Sequence, residues 1–156
     1  MKPQGKYFED FVIGEEFRSP GRTITETDVM MFAWLSGDYN QIHTDEEYCK
    51  QHSIYGARIA HGLFGLALVE GLKFRVGLFE GTAIASLEWT WRFKNPLLIG
   101  DTVHARWRIS QKRETSKTDR GIIWETVQLI NQCDEIVAEG EHVVMMQRKP
   151  EHDDQS

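Results

Sequence analysis

A change of hydrophobic period near the middle of the chain limits what it can fold into more than any other feature. Between His61-Gly62 and about Val76, the apolar residues Leu63, Phe64, Leu66, Ala67, Leu68, Val69, Leu72 and Phe74 fall on nearly every side of a helix. A helix that is apolar all round is buried on most faces. From Ala85 the period drops to two: Ala85, Leu87, Trp89, Trp91 and Phe93 alternate with Ser86, Glu88, Thr90, Arg92 and Lys94, and Asn95-Pro96 ends the run. Val103, Ala105, Trp107 and Ile109 then alternate with His104, Arg106, Arg108 and Ser110. Two further strands are expected near residues 121–132 and 135–147. One buried helix followed by a meander of long antiparallel strands is an α+β pattern. Its economical packing is a curved sheet wrapped around that helix.

The first half reads as short helices and loops. Thr25 with Asp28 three residues on resembles a capping box, Val29, Phe32, Ala33 and Leu35 recur at helical spacing, and Gly37 suits the stop. Thr44 with Glu47 predicts a second short helix over 45–52. Tyr7, Phe8 and Phe11 are expected to cover a hydrophobic edge. With 156 residues the chain is sized for one domain, read as 1–148 with a polar C-terminal tail at 149–156 expected to fray.

A formal net charge of -6 argues against a nucleic-acid binder, which more often carries a basic surplus. No run approaches the roughly 18–20 apolar residues of a membrane span, and the opening MKPQGKYFED lacks the apolar core of a signal peptide. The only cysteines, Cys49 and Cys133, show no metal or disulfide spacing. A cytoplasmic protein is the expectation, with Cys49 a structural thiol.

Chemistry concentrates in residues 36–43, Ser-Gly-Asp-Tyr-Asn-Gln-Ile-His. On a helix, residues five apart do not share a face. The turn formers Gly37 to Asn40 predict a loop instead, and a loop can aim the Asp38 carboxylate and the His43 imidazole at one water as an acid/base pair. The same residues equally suit a turn carboxylate and an imidazole bonded to backbone. Residues 56–62, Gly-Ala-Arg-Ile-Ala-His-Gly, lie just ahead of the buried helix. A helix N-terminus offers unpaired N–H groups that can receive a developing oxyanion, and Gly62 lacks the Cβ that would hinder approach. Alternatively, Gly62 is a packing point and His61 a cap.

The run Phe32-Ala33-Trp34-Leu35-Ser36-Gly37-Asp38-Tyr39-Asn40-Gln41-Ile42-His43, with Ile59-Ala60-His61-Gly62 downstream, resembles the signature of the MaoC-like dehydratases, the (R)-specific enoyl-CoA hydratases. One departure is Gln41, where that family usually carries Pro. The resemblance covers nearly the whole chain. It implies a hot-dog fold and a homodimer with its sites at the subunit interface, higher assembly being left open. It implies that Asp38 and His43 activate a water for addition to a trans-2-enoyl thioester, giving the (R)-3-hydroxyacyl thioester, while the Gly62 N–H polarises the carbonyl. Asn40, by orienting the loop, Ser36, by hydrogen bonding near the carboxylate, and His61 would act in support. No cofactor or metal is expected, coenzyme A being part of the substrate, and an acyl-carrier thioester is the other candidate substrate.

Thioester phosphates need basic partners. Arg92 with Lys94, and Arg106 with Arg108, each share a strand face, and would form a positive patch if those strands were neighbours; the rival is a solvated outer sheet face. Two other functions compete: a hot-dog thioesterase, for which Glu70 is the only acid well inside the buried helix, and a non-catalytic thioester-binding subunit.

Overall fold

The computed structural model describes residues 5–150; the first four residues and residues 151–156 of the polar tail lie outside the described part. Among the described residues, a 3-10 turn at Phe8–Asp10 and four α-helices occupy the first half: α1 (Glu26–Ser36), α2 (Gln41–Thr44), α3 (Glu46–His52) and α4 (Gly62–Phe74). Six strands make the sheet: β1 (Glu16–Arg18), β2 (Arg22–Thr23), β3 (Ala83–Phe93), β4 (Thr102–Glu114), β5 (Arg120–Ile130) and β6 (Ile136–Gln147). The antiparallel order is β1-β4-β5-β6-β3, with β2 pairing β4 off that path.

The alternation read in β4 has a direct outcome: Val103, Ala105, Trp107 and Ile109 are buried. They share one core with Phe64, Leu68, Val69 and Leu72 of α4 and with Ile123, Val127 and Leu129 of β5. The sheet therefore wraps α4 as the change of period required. Phe8 and Phe11 close one side of this core. Lys149, expected to fray, is held by a backbone N–H to Glu9 Oε2 at 3.0 Å and an ion pair to Asp10 at 2.5 Å.

The burial expected of α4 on most faces is incomplete. The outer face of α4 is open in the single chain, with Leu63 63% and Phe74 58% exposed. Beside it β3 pairs only β6, so its other edge has no strand partner among the described residues, and it carries exposed Ile84, Leu87 and Phe93. The core also holds charge, which Glu125 between Ile123 and Val127 only hints at in the sequence. Lys73 of α4 donates to Glu125 Oε2 at 2.6 Å, and its Nζ lies 3.0 Å from His142 Nδ1. His142 Nε2 is 2.8 Å from Ser86 Oγ, and its ring stacks on Trp89 at 4.2 Å.

Candidate active site

A relay of side-chain caps builds the loop. Thr25 Oγ1 accepts the Asp28 N–H in a full capping box, and Gly37 ends α1 in the left-handed conformation at φ 75°. Ser36 Oγ then accepts the Asp38 N–H at 3.2 Å, Asp38 Oδ1 accepts the Asn40 N–H at 3.2 Å, and Asn40 Oδ1 accepts the Ile42 N–H at 3.2 Å. Asn40 thus caps α2, the helical turn that carries His43. The sequence reading placed no helix there. It also started the following helix at Thr44, whereas the cap is Asp45, whose Oδ1 accepts the Tyr48 N–H at 2.8 Å. Ser36 supports the backbone at Asp38 rather than the carboxylate. Cys49 is buried, its thiol within 3.5 Å of the Gln41 and Ile42 carbonyls, and burial pushes its pKa up, as suits a structural thiol.

The relay leaves Asp38 Oδ2 free, 3.9 Å from His43 Nε2. His43 Nδ1 lies 2.7 Å from the Ile59 carbonyl, which can only accept, so the proton sits on Nδ1 and Nε2 offers a lone pair. His43 is buried while Asp38 is half-exposed, its side chain 54% accessible. Burial, and then the neighbouring His61, lower the pKa of His43 below its usual value, against the opposing pull of the Ile59 carbonyl and Asp38. The gap is too long for a direct hydrogen bond but suits one water touching both groups at about 2.8 Å.

His61 returns to the loop from the mouth of α4. Its ring stacks on His43 with centroids 3.7 Å apart, and its Nε2 lies 2.8 Å from the Asp38 carbonyl. Gly62 opens α4, so its N–H has no partner within the helix. A Cβ at Gly62 would collide with the Phe93 ring. His43, His61, Gly62 and Phe93 line one cavity of about 470 Å³, whose other walls include Tyr55, Ile59, Leu97, Leu129 and Val137. One donor atom from each of Asp38, His43 and His61 lies within 4.8 Å of the other two, so these are the residues that could hold a cation. His61 is expected from the sequence as a supporting residue, but its convergence on the Asp38–His43 pair is not legible there because it lies 23 residues beyond Asp38.

The basic residues are placed differently. β3 and β4 are not neighbours; β5 and β6 lie between them. Arg92, Arg106 and Arg108 line a groove of about 520 Å³ on the sheet, shared with the acids Glu16, Glu139 and Glu141, and none of the three lines the His43 cavity. Arg106 is engaged by Gln128 at 2.7 Å. Lys94 alone of the four lines the cavity, with its Nζ 3.2 Å from Glu139.

Residues 10–128 match the family described as MaoC like domain. Protein MaoC of Klebsiella aerogenes is 37% identical over 77% of this chain, which spans only 35% of that longer protein. An (R)-specific enoyl-CoA hydratase of Rhodospirillum rubrum is 37% identical over 64% of this chain and 66% of its own length. A 3-hydroxybutyryl-CoA dehydratase of Methylorubrum extorquens is 31% identical over 94% of this chain and 88% of its own. Among solved structures, a MaoC-like dehydratase from Rhodospirillum rubrum superposes with a TM-score of 0.82 at 25% identity, covering 94% of this chain and 99% of that one. A Mycobacterium tuberculosis protein described as a double hotdogfold gives 0.83 at 21% identity, covering 97% of this chain and 47% of that one, a likeness of fold.

Proposed function

Because the chain belongs to the MaoC-like domain family and has a hot-dog fold, we propose that it is a lyase interconverting trans-2-enoyl-CoA and (R)-3-hydroxyacyl-CoA thioesters. The observation that carries this reading is the 3.9 Å gap between Asp38 Oδ2 and His43 Nε2, which opens beside the apolar cavity at Gly62. Both atoms accept hydrogen bonds, so a water between them donates one hydrogen to each and turns its lone pairs outward. Its oxygen bonds to the β-carbon while the C=C electron pair moves toward the thioester, whose oxygen gains charge beside the Gly62 N–H. The proton released to the pair is delivered to the α-carbon on the same face, restoring both groups. Removing an oxyanion donor of this kind typically costs roughly 10²–10³ in rate. Gly62→Ala keeps that N–H but sets a methyl against the Phe93 ring of the cavity wall; by hindering the approach of the thioester oxygen it is expected to cost turnover up to that scale, read as kcat on a short enoyl-CoA.

The relatives named as hydratase and dehydratase support this activity. The apolar walls suit an acyl chain, and Lys94 at the rim is the best-placed of the basic residues to meet a phosphate. The open β3 edge and the bare face of α4 support a homodimer, since a long unpaired edge with exposed apolar groups is seldom left uncovered. The free thiols of Cys49 and Cys133 suit a cytoplasmic location, and no described helix is long and apolar enough to cross a membrane. The thioesterase reading loses ground because Glu70 faces Lys73 at 3.3 Å, eight residues and about 12 Å of helix from Gly62.

Incubation with crotonyl-CoA tests the reading. Loss of the conjugated absorbance without free thiol is expected; free thiol means hydrolysis, and acyl-CoA binding without turnover on any enoyl-CoA means a non-catalytic subunit. Neutral His43 is the working form, and its pKa is lowered. Activity should therefore rise with pH through a midpoint below the usual histidine value of about 6.5 and be complete above it. An acid limb of kcat/KM centred at or above that value would contradict the assignment.

A further inference from the structure

We propose that His61 is a positioning residue for this reaction, and that its essential contribution is the N–H it gives to the Asp38 carbonyl rather than the bulk of its ring. This rests on the hydratase reading and names a part that the Asp38–His43 pair lacks by itself. Two of its contacts converge on the site, and the next residue is Gly62: the ring stacks on His43 at 3.7 Å, and the Nε2 lies 2.8 Å from the Asp38 carbonyl. A carbonyl oxygen only accepts, so Nε2 carries the proton and Nδ1 of the neutral ring is left with a lone pair.

That lone pair decides between packing and polarity. His61 is buried, and its Nδ1 has no hydrogen-bond partner among the described residues. An unpaired buried acceptor is unfavourable. A phenylalanine would fill the same space between Phe32, whose centroid is 5.0 Å away, and His43 without that penalty. What the imidazole adds is the bond to Asp38. Asp38 is otherwise held by its own N–H to Ser36 Oγ and by Oδ1 to the Asn40 N–H, both contacts local to the loop. The described hydrogen bond that ties Asp38 to the body of the fold is the one from His61. Without it the carboxylate is free to drift from His43, and a shift of about 1 Å is enough to cost roughly 10²-fold in rate.

Two variants separate the roles. His61→Phe keeps an aromatic ring and removes the donor; His61→Gln keeps an N–H at similar reach and gives up the stack. His61→Phe is expected to lower kcat roughly 10–100-fold with KM little changed, and His61→Gln to recover most of the loss. Amide hydrogen exchange at Asn40 and Ile42 should quicken up to about tenfold in His61→Phe, with the amides of β4 and β5 unchanged. This readout does not depend on turnover: faster loop exchange in a protein whose wild type hydrates nothing would uphold the clamp and remove the hydratase reading. Wild-type kcat in His61→Phe, unaltered exchange at Asn40 and Ile42, or equal losses in both variants with a lowered Tm would overturn the proposal.

Discussion

Asp38→Asn and His43→Asn are each expected to lower kcat/KM for enoyl-CoA hydration by roughly 10²–10⁴-fold, the usual share of a positioned acid/base group. Both substitutions keep the local structure. An asparagine at 38 still presents an oxygen to the Asn40 N–H, and one at 43 still presents an N–H to the Ile59 carbonyl. Each removes one of the two acceptors that hold the water. Because the two act on the same molecule, the double variant should be little worse than the poorer single one. Steady-state rates on one substrate, with circular dichroism to verify folding, make the comparison. Near-normal turnover in either single variant would dismiss the shared-water mechanism.

Lys73→Ala should cause the largest loss of stability. Lys73 and Glu125 lie in the core, and the lysine holds the carboxyl of Glu125 below the usual carboxylate range against a desolvation cost that pushes the other way. Removing one partner of a buried pair typically costs 3–5 kcal/mol because the other charge is left uncompensated. For a domain of this size that lowers Tm on the order of 10 °C. Since the folded-state pKa of Glu125 is depressed, the pair contributes fully above the ordinary carboxylate pKa, and its contribution fades as pH falls through the folded value. The wild type should therefore lose part of its margin over the variant in acid. The double variant Lys73→Met, Glu125→Leu should recover most of the loss, since an apolar pair leaves no charge stranded. Thermal melts of the three proteins at neutral and acid pH provide the check; a Tm unchanged in Lys73→Ala would mean that His142, whose Nδ1 already lies 3.0 Å from Glu125 Oε2, suffices to hold the carboxylate.

What was legible in the sequence is what local chemistry decides. Alternation in Val103 to Ile109 fixed a buried strand face, because a strand with one wet side admits no other arrangement. The capping box at Thr25 and the positive φ at Gly37 bounded α1 for equally local reasons. Thr44 reads as the cap where the fold uses Asp45, because both residue types cap helices well and only the fold shows which oxygen meets an N–H. Strand order lay beyond local reading, and with it the fate of Arg92, Arg106 and Arg108: faces can be read from alternation, but which strand lies beside which is a long-range outcome. Lys73 finds Glu125 at a separation of 52 residues. The one trace in the sequence is Glu125 itself, a charge at an inward position between Ile123 and Val127.

The uncovered edge of β3 has a consequence for when such a protein becomes active. Tyr55, Leu63 and Phe93 are at once exposed surface and cavity wall, so on the proposed pairing each protomer completes its reaction chamber only when its twin arrives. Catalytic competence would then obey mass action, with dilution draining it long before any strand unravels.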